Sequence, residues 1–191
     1  MAKNILAHKI LIIDFGSQYT QLIARRVREL GVYCEIYSHQ SNLKSIKDFD
    51  AKGIILSGGP ETVKQGGSPK VPIGMFDLGI PILGICYGMQ TITKQLGGKV
   101  ELASKREFGH ANLKISNQGG GLFKNVKDKT TSVWMSHGDH VTNLPKDFKI
   151  IAKSSNSPIA AFYNPTKKIY GLQFHPEVTH TPQGKKILKN F

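Results

Sequence analysis

The sequence has 191 residues and a formal net charge of +13, from 26 lysines and arginines against 13 acidic residues. A chain of this length can bury about 70% of its unfolded surface, so we expect residues 1–191 to form one domain. It has no run near the roughly 18 apolar residues of a membrane span, and the N-terminal MAKNILAHK lacks the apolar region of a signal peptide. Its two cysteines, Cys34 and Cys86, form no CxxC pair, which disfavours a disulfide framework or a cysteine zinc site. These features predict a cytoplasmic protein.

The basic residues are scattered along the chain rather than clustered. The longest basic runs are pairs such as Arg25-Arg26 and Lys185-Lys186, and no basic stretch carries the interleaved aromatic residues on which bases stack. We therefore expect no nucleic-acid partner. A dispersed positive surface is instead suited to an acidic protein surface or an anionic ligand.

Strand and helix patterns alternate through the first half of the chain. The run KILIIDF (9–15) is almost continuously apolar and ends at Gly16, as a central strand covered on both faces does. A helical spacing of apolar residues follows and stops at Gly31, a typical helix C-cap. Further predicted elements are strands at VYCEIY (32–37), GIILS (53–57) and PILGI (81–85), then a helix through Leu96. This order predicts an α/β fold with a doubly wound, mostly parallel sheet and helices on both faces.

From about Lys99 the pattern changes to short strand-like runs separated by turns, such as those at 117–121 and 164–165. This change predicts a small antiparallel β excursion before the last core strand, IYGLQF (169–174), and a basic C-terminal helix from Gln183.

The segment GICYG (84–88) lies between a predicted buried strand and a helix, and it has the pattern of a nucleophile elbow with cysteine as the nucleophile. Such a turn strains the backbone of the nucleophile, and the flanking glycines let the neighbouring chain approach closely. The turn also sets the Cys86 sulfur at a helix N-terminus, where the dipole favours the thiolate. A cysteine at a strand end is otherwise commonly a small buried hydrophobe. Cys34 fits that description and is assigned no role.

Cys86 needs a base, and His175 stands out among the seven histidines because it ends an apolar strand and precedes Pro176-Glu177. Sites of α/β proteins assemble at the carboxyl edge of the parallel strands, where the elbow should also lie. Glu177 is near enough in sequence to orient the imidazole. An isolated His-Pro-Glu turn would be read as surface structure, but beside the elbow it favours catalysis.

The segment Ser57-Gly58-Gly59-Pro60 also follows a core strand directly. Acyl transfer needs backbone N–H groups aimed at the developing oxyanion. Gly59 would supply one, just before a proline that has none, and Tyr87, the residue after the nucleophile, would supply the second. Without Cys86, a simple tight turn would explain the segment equally well.

The motifs SGGP, GICYGMQ and GLQFHPE, in this order, resemble the class I (triad-type) glutamine amidotransferases. The segments DFGSQYTQLIARRVRELGVY and WMSHGD are similar to the GMP synthetase branch of that family, and the resemblance covers essentially the whole chain. The resemblance implies that Cys86 is the nucleophile, that His175 is the general base and acid, and that Glu177 orients His175. It also implies that Gly59 and Tyr87 supply the two oxyanion-hole N–H groups. The implied glutamine-binding residues are Gln90, Ser136, His137 and Asp139.

The resemblance further implies that glutamine is hydrolysed to glutamate and ammonia through a Cys86 glutamyl thioester. The ammonia would pass to an ATP-pyrophosphatase (synthetase) domain or subunit that converts XMP to GMP. This chain has no Ser-Gly-Gly-Val-Asp-type or GxxxxGK[ST] phosphate loop. ATP and Mg are therefore expected on the synthetase, and no cofactor is expected here.

Several other interpretations remain open. One is the glutaminase of another pathway, such as anthranilate or carbamoyl phosphate synthesis. A second is a cysteine hydrolase outside the amidotransferases that has the same elbow, and a third is a non-catalytic binding subunit. The segment His137-Gly138-Asp139-His140 could also hold a metal. We expect no metal there, because the resemblance assigns this segment to substrate binding.

Overall fold

The computed structural model describes residues 7–116 and 119–191, so the first six residues and two residues of the predicted turn at 117–121 lie outside it. The strands are β1 (Lys9–Asp14), β2 (Tyr33–Ser38), β3 (Gly53–Leu56), β4 (Ile82–Ile85), β5 (Lys99–Ile115), β6 (Thr130–Asn143), β7 (Lys149–Lys153), β8 (Ala161–Asn164) and β9 (Ile169–Leu172). The α-helices are α1 (Thr20–Glu29), α2 (Leu43–Asp48), α3 (Tyr87–Gln95) and α4 (Gly184–Asn190). Within the described ranges, no helix has the length and apolar character needed to cross a membrane.

The strands form one sheet in the order β2-β1-β3-β4-β9-β8-β7-β5-β6. The first five of these strands are parallel, and from β9 onward neighbouring strands pair antiparallel. The predicted α/β fold is confirmed. The antiparallel part is larger than the small excursion expected, because β5 and β6 form a hairpin of 17 and 14 residues. A register shift between Leu102 and Glu107 and a left-handed Gly109 interrupt β5, so its sequence reads as several short runs.

Both faces of the parallel strands are covered by helices. Side chains alternate across a strand, so Ile12 and Ile55 pack with the residues of α1 and α4 on one face. Leu11 and Leu56 pack with α2 and α3 on the other face. Burial on both sides explains why these strands read as continuous apolar runs. Each fully buried Leu or Ile contributes about 1.5–3 kcal/mol relative to an exposed one.

The strand order brings the three predicted motifs to one edge of the sheet. Strands β3, β4 and β9 are adjacent and parallel, so the segments that follow them leave from the same edge. Those segments are SGGP, the Cys86 elbow and the His-Pro-Glu turn. The antiparallel β6 reaches this edge as well, because the backbone N–H of His175 donates to the carbonyl of Trp134 at 3.0 Å.

Candidate active site

Cys86 sits in a strained turn between β4 and α3. Its φ of 51° and ψ of −106° place a non-glycine residue in a backbone region that L-residues rarely adopt. The surroundings hold it there. Its N–H donates to the Leu172 carbonyl at 2.7 Å, and the N–H of Gly88 donates to the Ser57 carbonyl at 3.0 Å. A β-carbon on Gly88 would lie 2.4 Å from the Leu56 carbonyl oxygen, which explains why the elbow needs glycine at this position.

His175 and Glu177 form a buried pair beside this turn. The Nδ1 nitrogen of His175 lies 2.7 Å from Oε1 of Glu177, and the residues are 3% and 0% exposed. Burial alone would lower the pKa of His175. The charge of Glu177, together with hydrogen bonds to Cys86 and Glu177, outweighs burial and raises the pKa of His175 well above its ordinary value. The structure therefore brings the three residues of the predicted triad into one hydrogen-bonded group.

Neighbouring groups fix the His-Pro-Glu turn. The Thr181 hydroxyl donates to the His175 carbonyl at 2.7 Å and accepts the Trp134 N–H at 3.0 Å. The Arg26 Nε donates to the Glu177 carbonyl at 3.0 Å. The Tyr19 ring meets the imidazole edge-on, with 5.2 Å between centroids. The orientation of the histidine is thus set from β6, from α1 and from the chain that follows it.

The two glycines of the SGGP segment pack directly against the elbow. A β-carbon on Gly58 would lie 3.2 Å from Cε1 of His175 and 3.7 Å from Cβ of Cys86. A β-carbon on Gly59 would lie 2.9 Å from the Phe15 carbonyl oxygen and 3.3 Å from Cγ of Tyr87. Within residues 7–116 and 119–191, neither Gly59 nor Tyr87 uses its N–H in a hydrogen bond. Both predicted oxyanion-hole groups are therefore available and close to Cys86.

Three of the predicted substrate-binding residues lie in β6, and the fourth, Gln90, lies one turn past the elbow in α3. The Cys86 sulfur is 3.6 Å from the Ser136 carbonyl oxygen. The Gln90 amide nitrogen donates to the Asp139 carbonyl at 2.9 Å, and the Asp139 carboxylate accepts the Thr62 hydroxyl at 2.5 Å. Strand β6 is thus tied both to α3 and to the segment that follows SGGP.

His137 is buried and already bonded at both ring nitrogens. Its Nδ1 lies 3.0 Å from the Asp139 carbonyl oxygen and its Nε2 lies 3.1 Å from the Glu107 carboxylate. Burial lowers the pKa of this ring, although Glu107 opposes the shift. Among the described residues, no group of three or more His, Cys, Asp or Glu side chains could hold a metal ion. The expectation that no metal binds here stays a prediction.

A cavity of about 650 Å³ joins these groups. It is bounded by Cys86 and by every predicted oxyanion-hole and substrate-binding residue, namely Gly59, Tyr87, Gln90, Ser136, His137 and Asp139. Charged side chains, including Lys64 and Arg106, stand at its rim. A second cavity of about 250 Å³ reaches Cys86 from the side of His175 and the loop 16–19.

Two buried polar residues escaped the sequence interpretation. Gln173 is fully buried, with its amide nitrogen 3.8 Å from the Cys86 sulfur and its carbonyl oxygen 3.4 Å from the Gln90 amide nitrogen. Its position two residues before His175, and so on the same side of an extended chain, was the available signal. Glu107 accepts hydrogen bonds from Ser154 and Ser157. These partners are 47 and 50 residues away in sequence, so no local signal could reveal them.

The family model for class I glutamine amidotransferases matches residues 11–191. The chain belongs to this family. GMP synthases [glutamine-hydrolyzing] of Marinomonas sp. (strain MWYL1) and of Vibrio cholerae serotype O1 are 54% and 55% identical to this amidotransferase over its full length. The chain spans 38% and 37% of those two proteins.

Solved structures agree with this family membership. A proposed GMP synthase subunit from Thermoplasma acidophilum superposes with a TM-score of 0.85 at 34% identity, covering 96% of this amidotransferase and 91% of that chain. A glutamine amidotransferase from Thermotoga maritima, at 20% identity and a TM-score of 0.71, covers 95% of this chain and 93% of that one. At that identity the likeness concerns the fold alone.

Proposed function

We propose that this amidotransferase hydrolyses glutamine to glutamate and ammonia through a glutamyl thioester on Cys86. The observation that carries the proposal is the buried group of Cys86, His175 and Glu177, whose Cys86 borders a cavity of about 650 Å³. A cavity of that size suits a small-molecule substrate. The strained turn at Cys86 is of the kind that persists where function requires it.

Substrate glutamine enters with its side-chain amide toward Cys86. The Asp139 carboxylate pairs with the α-ammonium group, and Ser136 and Gln90 line the path between the two ends. Since both ring nitrogens of His137 are engaged, this residue acts by holding the backbone of its segment in place. Arg106, at the cavity rim and packed against Gly138, offers a positive charge for the α-carboxylate.

The acylation step begins with the proton on His175 and the thiolate on Cys86. The sulfur attacks the amide carbon of glutamine, and the N–H groups of Gly59 and Tyr87 bind the resulting oxyanion. Each such donor contributes about 3–4 kcal/mol to lowering the barrier in related chemistry. His175 then gives its proton to the departing nitrogen as the carbon–nitrogen bond breaks, which leaves ammonia and the thioester.

The deacylation step reverses the roles of these groups. His175, now neutral, takes a proton from water as the water oxygen attacks the thioester carbon. The carbon–sulfur bond breaks, glutamate leaves, and the pair of Cys86 thiolate and protonated His175 is restored. Glu177 stabilises that pair by charge and orientation without itself reacting.

Gln173 stabilises the nucleophile from a second side. Its amide nitrogen points at the Cys86 sulfur, while its carbonyl oxygen is held by Gln90. A donor aimed at the sulfur stabilises the negative charge that the sulfur carries when it attacks or leaves. The amide of Gln90 also bonds the Asp139 carbonyl, so the same side chains link the substrate-binding strand to the nucleophile.

We further propose that the ammonia serves a synthetase that converts XMP to GMP. The support is the similarity to GMP synthases, of which this chain spans less than two fifths, and a net charge of +13 that suits docking on an acidic partner. ATP and Mg²⁺ belong with that synthetase.

The test is glutamate release from glutamine, measured for this chain alone and with synthetase, ATP, magnesium and XMP. We expect slow hydrolysis by the chain alone and at least about a tenfold increase with the full mixture. A glutaminase site that is completed only when the acceptor is bound avoids releasing ammonia without use. Release that rises only with an anthranilate or carbamoyl phosphate synthetase would reassign the pathway. No release under any condition would contradict glutaminase activity.

A further inference from the structure

Two cavities meet at Cys86, and they differ in what else bounds them. Both are bounded by Gly59, Pro60, Cys86 and Ser136. The larger one continues to the substrate-binding residues and is not bounded by His175. The smaller one, about 250 Å³, is bounded by His175 and by the loop 16–19. Cys86 is therefore accessible from both cavities, whereas His175 borders the smaller one and not the larger one.

The chemistry proposed above, on which this inference rests, places two small molecules at His175. The departing nitrogen must lie within hydrogen-bonding reach of the imidazole to receive its proton, and the attacking water must lie there to give one up. When the glutamyl group fills the larger cavity, that cavity cannot also supply water to the far side of the thioester. We infer that the smaller cavity is the port through which water reaches the thioester and ammonia leaves it.

The lining of the smaller cavity suits this role. Its residues are Gly16, Ser17, Gln18, Tyr19, Gly59, Pro60, Cys86, Ser136 and His175. No carboxylate, lysine or arginine is among them, and His175 is neutral once it has protonated the departing nitrogen, so ammonia meets no carboxylate that would retain it as ammonium. The volume admits several water molecules at about 30 Å³ each. By contrast, the larger cavity has both Asp139 and basic side chains on its walls, as an amino-acid substrate requires.

The outer wall of the port is a short loop with a defined shape. The N–H of Gly16 donates to the Asp14 carboxylate at 2.9 Å, and the N–H of Tyr19 donates to the Ser17 hydroxyl at 3.0 Å. Gln18 is exposed at the mouth of the port, and Tyr19 packs against the His175 ring. A larger side chain at Gln18 should narrow the port without touching the triad or the backbone bonds of the loop.

The chain offers a matched pair of substitutions. Gln18 and Gln65 are both exposed glutamines, one on the wall of each cavity. Gln18→Trp should lower kcat for glutamine hydrolysis about tenfold, and the Cys86 thioester should decay more slowly after glutamine is diluted away. Gln65→Trp should raise KM and leave the thioester decay at the wild-type rate. Intact-protein mass spectrometry with rapid quenching measures the decay.

A second measurement needs only the wild-type chain. Hydroxylamine should intercept the thioester to give the γ-glutamyl hydroxamate, and the larger N-benzylhydroxylamine should intercept it more slowly. The proposed role of the smaller cavity would be contradicted if both amines intercepted the thioester equally fast. It would also be contradicted if the thioester decayed in Gln18→Trp at the wild-type rate. Slowed decay in Gln65→Trp would place water entry on the substrate side and overturn it as well. Absence of any thioester in the wild type would instead contradict the proposed function.

Discussion

The Nδ1 nitrogen of His175 lies 2.7 Å from Oε1 of Glu177, while Oε2 of the same carboxylate is buried without a hydrogen-bond partner among the described residues. The carboxylate is thus directed at one group, the imidazole. Burial lowers the pKa of His175, but the Glu177 charge and the hydrogen bonds of His175 to Cys86 and Glu177 raise it by more than burial lowers it. The protonated ring needed for acylation is therefore maintained by Glu177.

Replacing Glu177 with glutamine should lower the pKa of His175, because the charge that outweighs burial is removed. In the wild type the raised folded-state pKa stabilises the protein fully below the ordinary histidine pKa of about 6.5. That contribution is lost as pH rises through the raised folded value. In Glu177→Gln the folded-state pKa falls back toward or below the ordinary value, so this contribution to the free energy of unfolding at low pH should shrink. NMR titration of the His175 ring tests the shift, with exposed Glu101→Gln as the control. An unchanged His175 titration would contradict the assignment.

The rate of glutamine hydrolysis should also distinguish the role of His175 from that of Glu177. His175 exchanges protons with the reacting groups, whereas Glu177 positions and charges the ring, so His175→Ala should lose more activity than Glu177→Ala. The measurement is kcat for glutamate release from purified variants with matched circular dichroism spectra. A greater loss in Glu177→Ala would mean that the base is misassigned.

Substitution of Gln173 should slow the reaction of the Cys86 sulfur with glutamine. Gln173→Glu keeps the shape of the side chain but replaces the N–H donor near sulfur with a carboxylate oxygen. The attacking sulfur then loses a donor and faces a carboxylate, so kcat for glutamate release should fall about tenfold or more. Steady-state kinetics of glutamate release measure this, and Gln173→Leu, which removes only the donor, should lose less activity. Equal kcat values in all three proteins would show that Gln173 contributes packing alone.

Much of the fold and of the site could be predicted from local sequence patterns. Buried parallel strands are recognisable in the sequence as apolar runs. The elbow at Cys86 and the turn at His175 each lie directly after one of these strands. The extent of the β5–β6 hairpin could not be predicted, because the interruption at Gly109 hides its continuity. Glu107 was missed because its role depends on tertiary pairing with His137. Contacts between segments that are distant in sequence produce no periodic pattern of residues, so they cannot be predicted from local sequence.

Gly88→Ala should destabilise the fold, because a β-carbon there would lie 2.4 Å from the Leu56 carbonyl oxygen and 2.7 Å from the Leu56 β-carbon. Overpacking of this kind costs about 1–3 kcal/mol or more. Gly66→Ala is the control, since a β-carbon at that position meets nothing within 4 Å. Its unfolding free energy should stay within about 0.5 kcal/mol of wild type. Urea unfolding measures both, and equal stability of the two variants would show that the elbow relaxes freely.

The central claim is that Cys86 is the nucleophile. An electrophilic glutamine analogue, such as a γ-diazoketone, offers the most direct measurement, because it labels the attacking sulfur at the site where glutamine binds. Both cysteines are free and buried, but burial raises the pKa of the Cys34 thiol, and Cys34 lies in β2, outside the residues that bound either cavity. Peptide mapping should find the label on Cys86 alone, with labelling abolished in Cys86→Ala, unchanged in Cys34→Ala and slowed by excess glutamine. A label on Cys34, or a Cys86→Ala protein that still releases glutamate from glutamine, would contradict the account.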